Sequence, residues 1–202
     1  MDPKTWIIRD AVISSRGAKS CQLEFAKPDA GTDGKIRFTI GSKESPTSTP
    51  FGATTFNNEE AVQKTIEVVL SDEEVEKFRG VTEWLTDYLT VHAPRIFKKE
   101  MTREQVSESL RSPVTQKGSF RPHLRCKIRP SSIRCWTAEG RIRSLPEDLR
   151  PYKIVPRVTL ERMWIMSREC GLVFQISDLL VLEGEEVECP FTQRVQSGQN
   201  KM

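Results

Sequence analysis

The sequence predicts a mainly β protein with two helices, of the α+β class. Several short segments alternate apolar and polar side chains, which is the period of a half-buried strand. Two other segments begin with a capping box and then repeat apolar residues at intervals of three and four, which is typical of a helix. Roughly seven to nine short strands with two helices favour a small β-barrel or sandwich decorated by helices.

Strand candidates occur along the whole chain. In 36–40, for example, Ile36, Phe38 and Ile40 alternate with polar residues, which predicts one face in a core and one in water. The alternation is lost after Arg162, where four apolar residues follow in succession. This break indicates a β-bulge or a strand covered on both faces. The other strand candidates are 6–13, 21–25, 65–70, 120–129, 133–136, 158–166 and 172–182.

Two capping boxes mark the starts of the helices. Ser71 with Glu74 opens the longer helix, and Thr102 with Gln105 opens the shorter one, since each hydroxyl and each N3 side chain can satisfy the other residue's free backbone N–H. The aromatic residues of the longer helix recur at helical spacing, which predicts a core stripe and not a binding surface.

The chain has 202 residues, 37% hydrophobic and 29% charged, which is enough for one domain with a real core. We expect a single domain over 1–191, with the helices inserted near 71–112. The polar segment 192–202 is expected to be a flexible C-terminal tail.

Several classes of protein are disfavoured by composition. No run of about 18 apolar residues is present, so we expect no membrane span, and the N-terminus lacks the apolar core of a signal peptide. The cysteines are odd in number, widely spaced and without a C-x-x-C motif, so we expect a reduced intracellular protein and no metal site. The cysteines are Cys21, Cys126, Cys135, Cys170 and Cys189.

Charge is distributed unevenly along the chain. The net charge is only +3, too small to indicate a nucleic-acid partner by itself. However, 117–143 contains eight Lys or Arg and one acid, whereas 178–188 contains five acids and no base. The local potential of such a polarised chain matters more than its total charge.

The basic segment has the pattern of two neighbouring strands that expose cations and an aromatic ring. Phe120, Leu124, Cys126 and Ile128 fall on one face of the first strand, and Cys135 marks the same face of the second. The residues of the opposite face are those that a phosphate-and-base ligand requires. These candidate binding residues are Arg121, His123, Arg125, Lys127, Arg129, Arg134 and Trp136. The alternative is a merely solvated strand face, since edge strands often carry Lys and Arg against aggregation.

No catalytic signature is present. The sequence contains no Gly-rich phosphate loop and no G-x-S-x-G motif. The carboxylates lie at a helix start and in an acidic run, where capping and solvation explain them. We therefore expect a protein that is not an enzyme and that binds no cofactor.

The segments 120–128, 134–136, 153–166 and 170–176 together resemble the OB-fold single-stranded DNA-binding proteins of large DNA viruses. In that family a basic, aromatic-bearing strand pair precedes a closing two-strand hairpin. The likeness covers roughly 115–190 and is a pattern of hydrophobic spacing. It implies an OB-like antiparallel β-barrel with helical decoration.

The resemblance also implies a non-catalytic protein that coats exposed single-stranded DNA in replication, repair or recombination. The cations would neutralise phosphates, and Trp136 would stack a base, an interaction of about 1–3 kcal/mol. His123 would add stacking or a pH-dependent charge. The loop 41–50 would close over the strand. Single-stranded nucleic acid is the expected partner, together with replication proteins, and an oligomer is compatible with the sequence. The expected location is intracellular, in the host cytoplasm or nucleus if the protein is viral.

Two other functions remain open at this point. A structural or virion scaffolding protein would use the charged face at a protein interface. A binder of double-stranded DNA or of RNA is the second alternative, since the same cations would bind any phosphate backbone.

Overall fold

In the computed structural model of the chain, residues 3–13, 18–26, 33–54, 62–166 and 168–183 are described. The helices in these ranges are α1 (Asp72–Val91), α2 (Ala93–Phe97) and α3 (Arg103–Ser109), with a 3-10 turn at Pro3–Thr5. The strands are β1 (Trp6–Ile8), β2 (Val12–Ile13), β3 (Lys19–Cys21), β4 (Leu23–Phe25), β5 (Arg37–Thr39), β6 (Ala53–Thr54), β7 (Lys64–Val69), β8 (Leu110–Arg111), β9 (Val114–Thr115), β10 (His123–Ile128), β11 (Arg134–Trp136), β12 (Ile142–Arg143), β13 (Lys153–Ile165) and β14 (Cys170–Leu182).

The long hairpin of β13 and β14 is the spine of the main sheet. The two strands have 13 residues each and pair antiparallel from Lys153 opposite Leu182 to Ile165 opposite Cys170. The free edge of β14 receives β8, β10 and β11 in turn. The free edge of β13 receives β3 and β5. Every other strand of this sheet is attached through one of these short strands, while β1 and β4 form a separate pair.

The mainly β class is confirmed, but the expected antiparallel barrel is wrong. Among the described residues the sheet runs from β2 at one edge to β6 at the other without closing on itself. In addition, β8, β10 and β11 each pair with β14 in parallel. The period of a strand shows that it is half-buried, but not which strand it pairs with or in which direction, so alternation alone could not predict this arrangement.

The bulge expected near Arg162 is confirmed. The register of β13 against β14 shifts between Leu160 and Arg162, and again between Arg157 and Val158. The shift after Leu160 leaves Glu161 of β13 without a partner and the shift after Arg157 leaves Ser177 of β14 without one, and the alternation resumes after each. As a result, β13 keeps most of its apolar side chains on one face, with Val155 and Trp164 as the exceptions.

Helix α1 covers one face of the sheet, which we call the inner face. The ring of Phe78 packs edge-on against Phe174 of β14 and Phe38 of β5, with centroid distances of 5.6 and 5.3 Å. The opposite side of the sheet is the outer face. The aromatic stripe of α1 thus belongs largely to the core, because Phe78, Val81, Leu85 and Leu89 are all buried.

Both capping boxes are present, but three helices occur in the described ranges where two were expected. Ser71 and Thr102 accept hydrogen bonds from the N3 backbone, and the N3 side chains bond back. Pro94 does not end the helical region, because it occupies the first turn of the short α2, where a missing N–H costs nothing.

The segment 41–50, expected to form a closing loop, is tied to the body of the protein. Thr47 and Ile154 of β13 exchange two backbone hydrogen bonds of 2.9 Å. The backbone N–H of Gly41 donates to Glu74 Oε1 at 2.7 Å. Gly41 has a φ of 71°, and a Cβ there would lie 2.9 Å from the carbonyl oxygen of Ser45, so glycine is required at this turn.

The tail expected at 192–202 and most of the acidic segment after Leu182 lie outside the described residues. The division into a domain over 1–191 and a tail therefore stays a prediction. Within the described part, no helix combines the length and the apolar character needed to cross a bilayer.

Glu74 joins the cap of α1 to the segment 41–50, so its loss should destabilise the fold. Its Oε2 accepts from the N–H and the hydroxyl of Ser71, and its Oε1 accepts from Gly41. We expect Glu74→Ala to lower the free energy of unfolding by about 1–2 kcal/mol, measured by urea denaturation. The control Glu76→Ala, at an exposed position two residues along, should change it by less than about 0.5 kcal/mol. Equal effects of the two substitutions would contradict the role given to Glu74.

Candidate functional site

The register of the sheet brings part of the predicted basic surface together on the outer face. Cys126 lies opposite Phe174 in the core, so Lys127 and Gln175, the next pair, project outward. By the same alternation Arg134 and Trp136 of β11 project outward beside Asp178 and Leu180. The sequence predicts that β10 and β11 are neighbours in the sheet. Instead, each pairs with β14, and the two strands follow one another along the same edge of β14.

The exposure expected for the first part of the basic segment is wrong at two positions. His123 is 1% exposed, because Phe51 packs on its ring with a centroid distance of 6.0 Å and Glu67 lies 3.2 Å from its Nε2. Phe120, expected in the core, is 51% exposed. Phe120 lies before the first residue of β10, so the alternation does not extend to it, and side chains from distant segments cover the outer face at this end of the strand. His123 is therefore not available for base stacking.

Arg125 and Lys127 are the two outward cations of β10 itself, and neither has an acidic partner among the described residues. Arg125 is exposed, and its guanidinium makes no ion pair or hydrogen bond with any described residue. Lys127 is half-buried and donates only to Thr65 Oγ1, at 2.9 Å. Burial and the neighbouring Arg125 charge lower the pKa of Lys127. Positive charge is thus uncompensated here, and an anion would be stabilised.

The remaining predicted Arg residues differ in their surroundings. Arg121 is exposed next to the covered end of β10. Arg129 is half-buried, with its Nη2 3.4 Å from Glu161 Oε1. Arg134 is exposed and its Nη2 lies 2.8 Å from Asp178 Oδ1. Arg129 and Arg134 therefore already have carboxylate partners on the outer face.

Trp136 is half-buried, and its polar edge is occupied. The indole Nε1 donates to Asp178 Oδ1 at 3.3 Å. Burial raises the pKa of Asp178, but hydrogen bonds from Arg134, Ser177 and Trp136 outweigh burial and lower the pKa overall. Asp178 is thus an ionised anchor that fixes both Arg134 and Trp136 on the surface.

Four cations on neighbouring strands were not among the predicted site residues. Register places Arg157 opposite Asp178, and Arg37 opposite Thr159, which itself faces Gln175. The alternation of β5 and β13 could have shown that these side chains face water. Only the pairing shows that they share a face with Lys127 and Arg134. The four cations are Arg37, Arg111, Arg157 and Arg162.

A groove of about 470 Å³ opens on the outer face where β8, β10, β13 and β14 meet. Its walls include Arg111, Arg125 and Lys127, and its floor includes Trp164 and Gly171. Trp164 lies opposite Gly171 in the register of β13 and β14. No local pattern indicates that this indole reaches the surface, since it lies in an apolar run after a bulge.

The described residues offer little for other chemistry. They contain no group of three or more His, Cys, Asp or Glu placed to hold a metal ion. Cys21, Cys126, Cys135 and Cys170 are free and buried, and burial raises the pKa of each thiol, which disfavours the reactive thiolate.

Comparison with known proteins gives a match among solved structures. No family model and no curated protein matches the sequence. Among solved structures, the chain resembles gp2.5, a single-stranded DNA-binding protein encoded by bacteriophage T7. The TM-score is 0.51 at 11% sequence identity, over 83% of this chain and 100% of that chain. At this identity the likeness is one of fold alone. It agrees with the expected resemblance at that coarse level, without extending to the proteins of large DNA viruses.

The anchoring role of Asp178 predicts a pH dependence of stability. A carboxyl group whose pKa is lowered in the folded state contributes stability above its unfolded pKa of about 3.9, and this contribution is lost as pH falls through the folded pKa. We therefore expect wild type to lose more stability than Asp178→Asn as the pH is lowered from about 5 to 2. Chemical denaturation at each pH measures this difference.

Asp87→Asn, on the exposed side of α1, serves as the control for loss of one surface carboxylate. If the pH curves of wild type and Asp178→Asn ran parallel through this window, Asp178 would not be the anchor described.

Proposed function

We propose that the chain is a non-catalytic protein that binds single-stranded DNA on the outer face of its sheet. The observation that carries this proposal is the pair Arg125 and Lys127. They project side by side, two residues apart on one strand, and neither has an acidic partner among the described residues. Phosphates would supply the missing negative charge and would release their condensed counterions on binding.

The cations of the outer face extend this pair into two lines. Arg125, Lys127 and Arg134 lie along one side of β14, while Arg157 and Arg162 lie along the other side on β13. A strand laid along β14 would have cations on both sides. Such a positively charged track along an open sheet suits a flexible single-stranded backbone.

Glu161 and Asp178 lie between the two lines of cations and pair with three of the Arg residues. Glu161 is 3.4 Å from Arg129 and 3.9 Å from Arg162, and Asp178 pairs with Arg134. These pairs hold the guanidinium groups in place while leaving them exposed. A phosphate can then bind an Arg that is already oriented, which reduces the entropy lost on binding.

The likeness of fold to a single-stranded DNA-binding protein supports the same proposal. We propose a role inside the cell in replication, repair or recombination, because these processes expose single-stranded DNA. Replication proteins are the partners we propose. We keep Trp136 as a contact at the β11 end of the surface, where its exposed part can meet a base.

The proposal is tested by removing the unpaired charges. We expect Arg125→Gln with Lys127→Gln to bind a fluorescent single-stranded oligonucleotide more weakly. The slope of log K against log salt should fall in magnitude by about 1.4, since each phosphate contact on single strands contributes about 0.7. Fluorescence anisotropy across a salt series measures both quantities.

The matched control is Lys77→Gln with Arg79→Gln. It removes the same two charges at the same spacing, but on α1, which covers the inner face. Equal losses in the two double variants would mean that net charge and not this surface governs binding. Tighter binding of a duplex or RNA competitor would indicate the corresponding alternative. Weak, length-independent binding would favour a scaffolding protein.

A further inference from the structure

The indole of Trp164 is the one tryptophan ring without a polar or aromatic partner among the described residues. Trp6 is buried and packs edge-on against Trp84, and Trp84 also packs on Tyr88. Trp136 donates its N–H to Asp178. Trp164 is half-buried, and its indole makes no aromatic contact or side-chain hydrogen bond with any residue that the structure describes.

Gly171 is what allows this ring to lie against the sheet. A Cβ at position 171 would be 2.8 Å from Cζ2 of Trp164 and 2.9 Å from Cε2 and Nε1. No side chain can be accommodated there unless the indole moves. A glycine in a strand interior lowers strand stability, and such a residue often marks a close approach of another group. Here that group is the Trp164 ring, which lies directly over the backbone of Gly171 on the floor of the groove.

The walls of the same groove carry charge suited to a nucleotide. Arg125 has no acidic partner among the described residues, Lys127 has only the Thr65 hydroxyl, and Arg111 pairs with Glu169 at the rim. The volume of about 470 Å³ lies in the usual range for small-ligand sites. A flat ring beside two uncompensated cations matches a base joined to a phosphate.

From these observations we propose that Trp164 is the main base-stacking residue of the protein. An unpaired base stacks on the indole in the groove, and its flanking phosphates bind Arg125 and Lys127. This inference rests on the proposed function and adds the residue that distinguishes single strands from duplexes. A paired base is already stacked within its helix and cannot reach the floor of the groove, whereas an unpaired base of any sequence can.

Affinity and salt dependence separate stacking from charge. We expect Trp164→Ala to weaken single-strand binding by about 5- to 150-fold at every salt concentration. The salt slope should be unchanged, since no phosphate contact is lost. Trp164→Phe should retain part of the affinity. These titrations use the full chain and the same fluorescent oligonucleotide as above, with a duplex of the same sequence alongside.

Gly171→Ala tests the geometry without removing the ring or any charge. The added methyl displaces the indole, so we expect a loss of affinity approaching that of Trp164→Ala. The double variant should bind no more weakly than Trp164→Ala alone, because the two changes act on one interaction. Gly80→Ala is the matched control, since a Cβ at that position on α1 meets nothing within 4 Å. Thermal unfolding verifies that each variant is folded.

Tryptophan emission gives a readout that does not depend on affinity. We expect saturating oligonucleotide to change the emission of wild type and of Trp136→Phe, and the change to be largely lost in Trp164→Phe. Should Gly171→Ala fail to fold, the Ala and Phe variants of Trp164 with this readout still decide the matter.

Two failures can be told apart. If Trp164→Ala binds as tightly as wild type while the Arg125 and Lys127 double variant loses affinity, the stacking site is overturned and the proposed function stands. If wild type itself shows no salt-dependent binding to single strands, the proposed function fails, and the stacking site fails with it.

Discussion

The antiparallel pairing of β13 with β14 is the constraint on which the rest of this structure depends. Neither of its long strands could be satisfied alone, because each would expose a row of unpaired backbone groups. The free edges of the hairpin are instead divided among short segments from the whole chain, β3 and β5 on one side and β8, β10 and β11 on the other. The hairpin therefore decides which side chains become neighbours on both faces of the sheet.

The two bulges of the hairpin, one in each strand, make such a long pair of strands compatible with a sheet that has two different faces. Strands twist, and an uninterrupted ladder of this length would carry its side chains away from one flat core. Each register shift bends the strand and resets its alternation, so Leu160 and Met163 stay on the inner face on either side of the shift. The same reset returns Arg162 and Trp164 to the outer face. The placement of the groove is thus a consequence of how the core is kept continuous.

The charged side chains of the outer face are of two kinds: those that are paired with a carboxylate and those that are not. Asp178 and Glu161 on the spine orient the guanidinium groups of the strands on either side. Arg125 and Lys127 lie beyond the reach of these carboxylates, and Glu67, which lies opposite Arg125 in register, is paired with Lys117. The unpaired cations therefore border the groove that holds Trp164, where an anion with an aromatic group would gain most.

The sequence by itself determined the local features of this protein. The capping boxes fixed where α1 and α3 begin, and the period of two fixed which side chains of 124–128 and 134–136 face outward, because both depend on residues close together in the chain. Only the tertiary structure decided the rest: that the sheet stays open, that β10 and β11 lie in parallel beside β14, that Phe51 covers His123, and that the half-buried Trp164 lies against Gly171. These outcomes depend on contacts between residues far apart in sequence. The local period of a strand does not determine which distant segment packs or pairs with it.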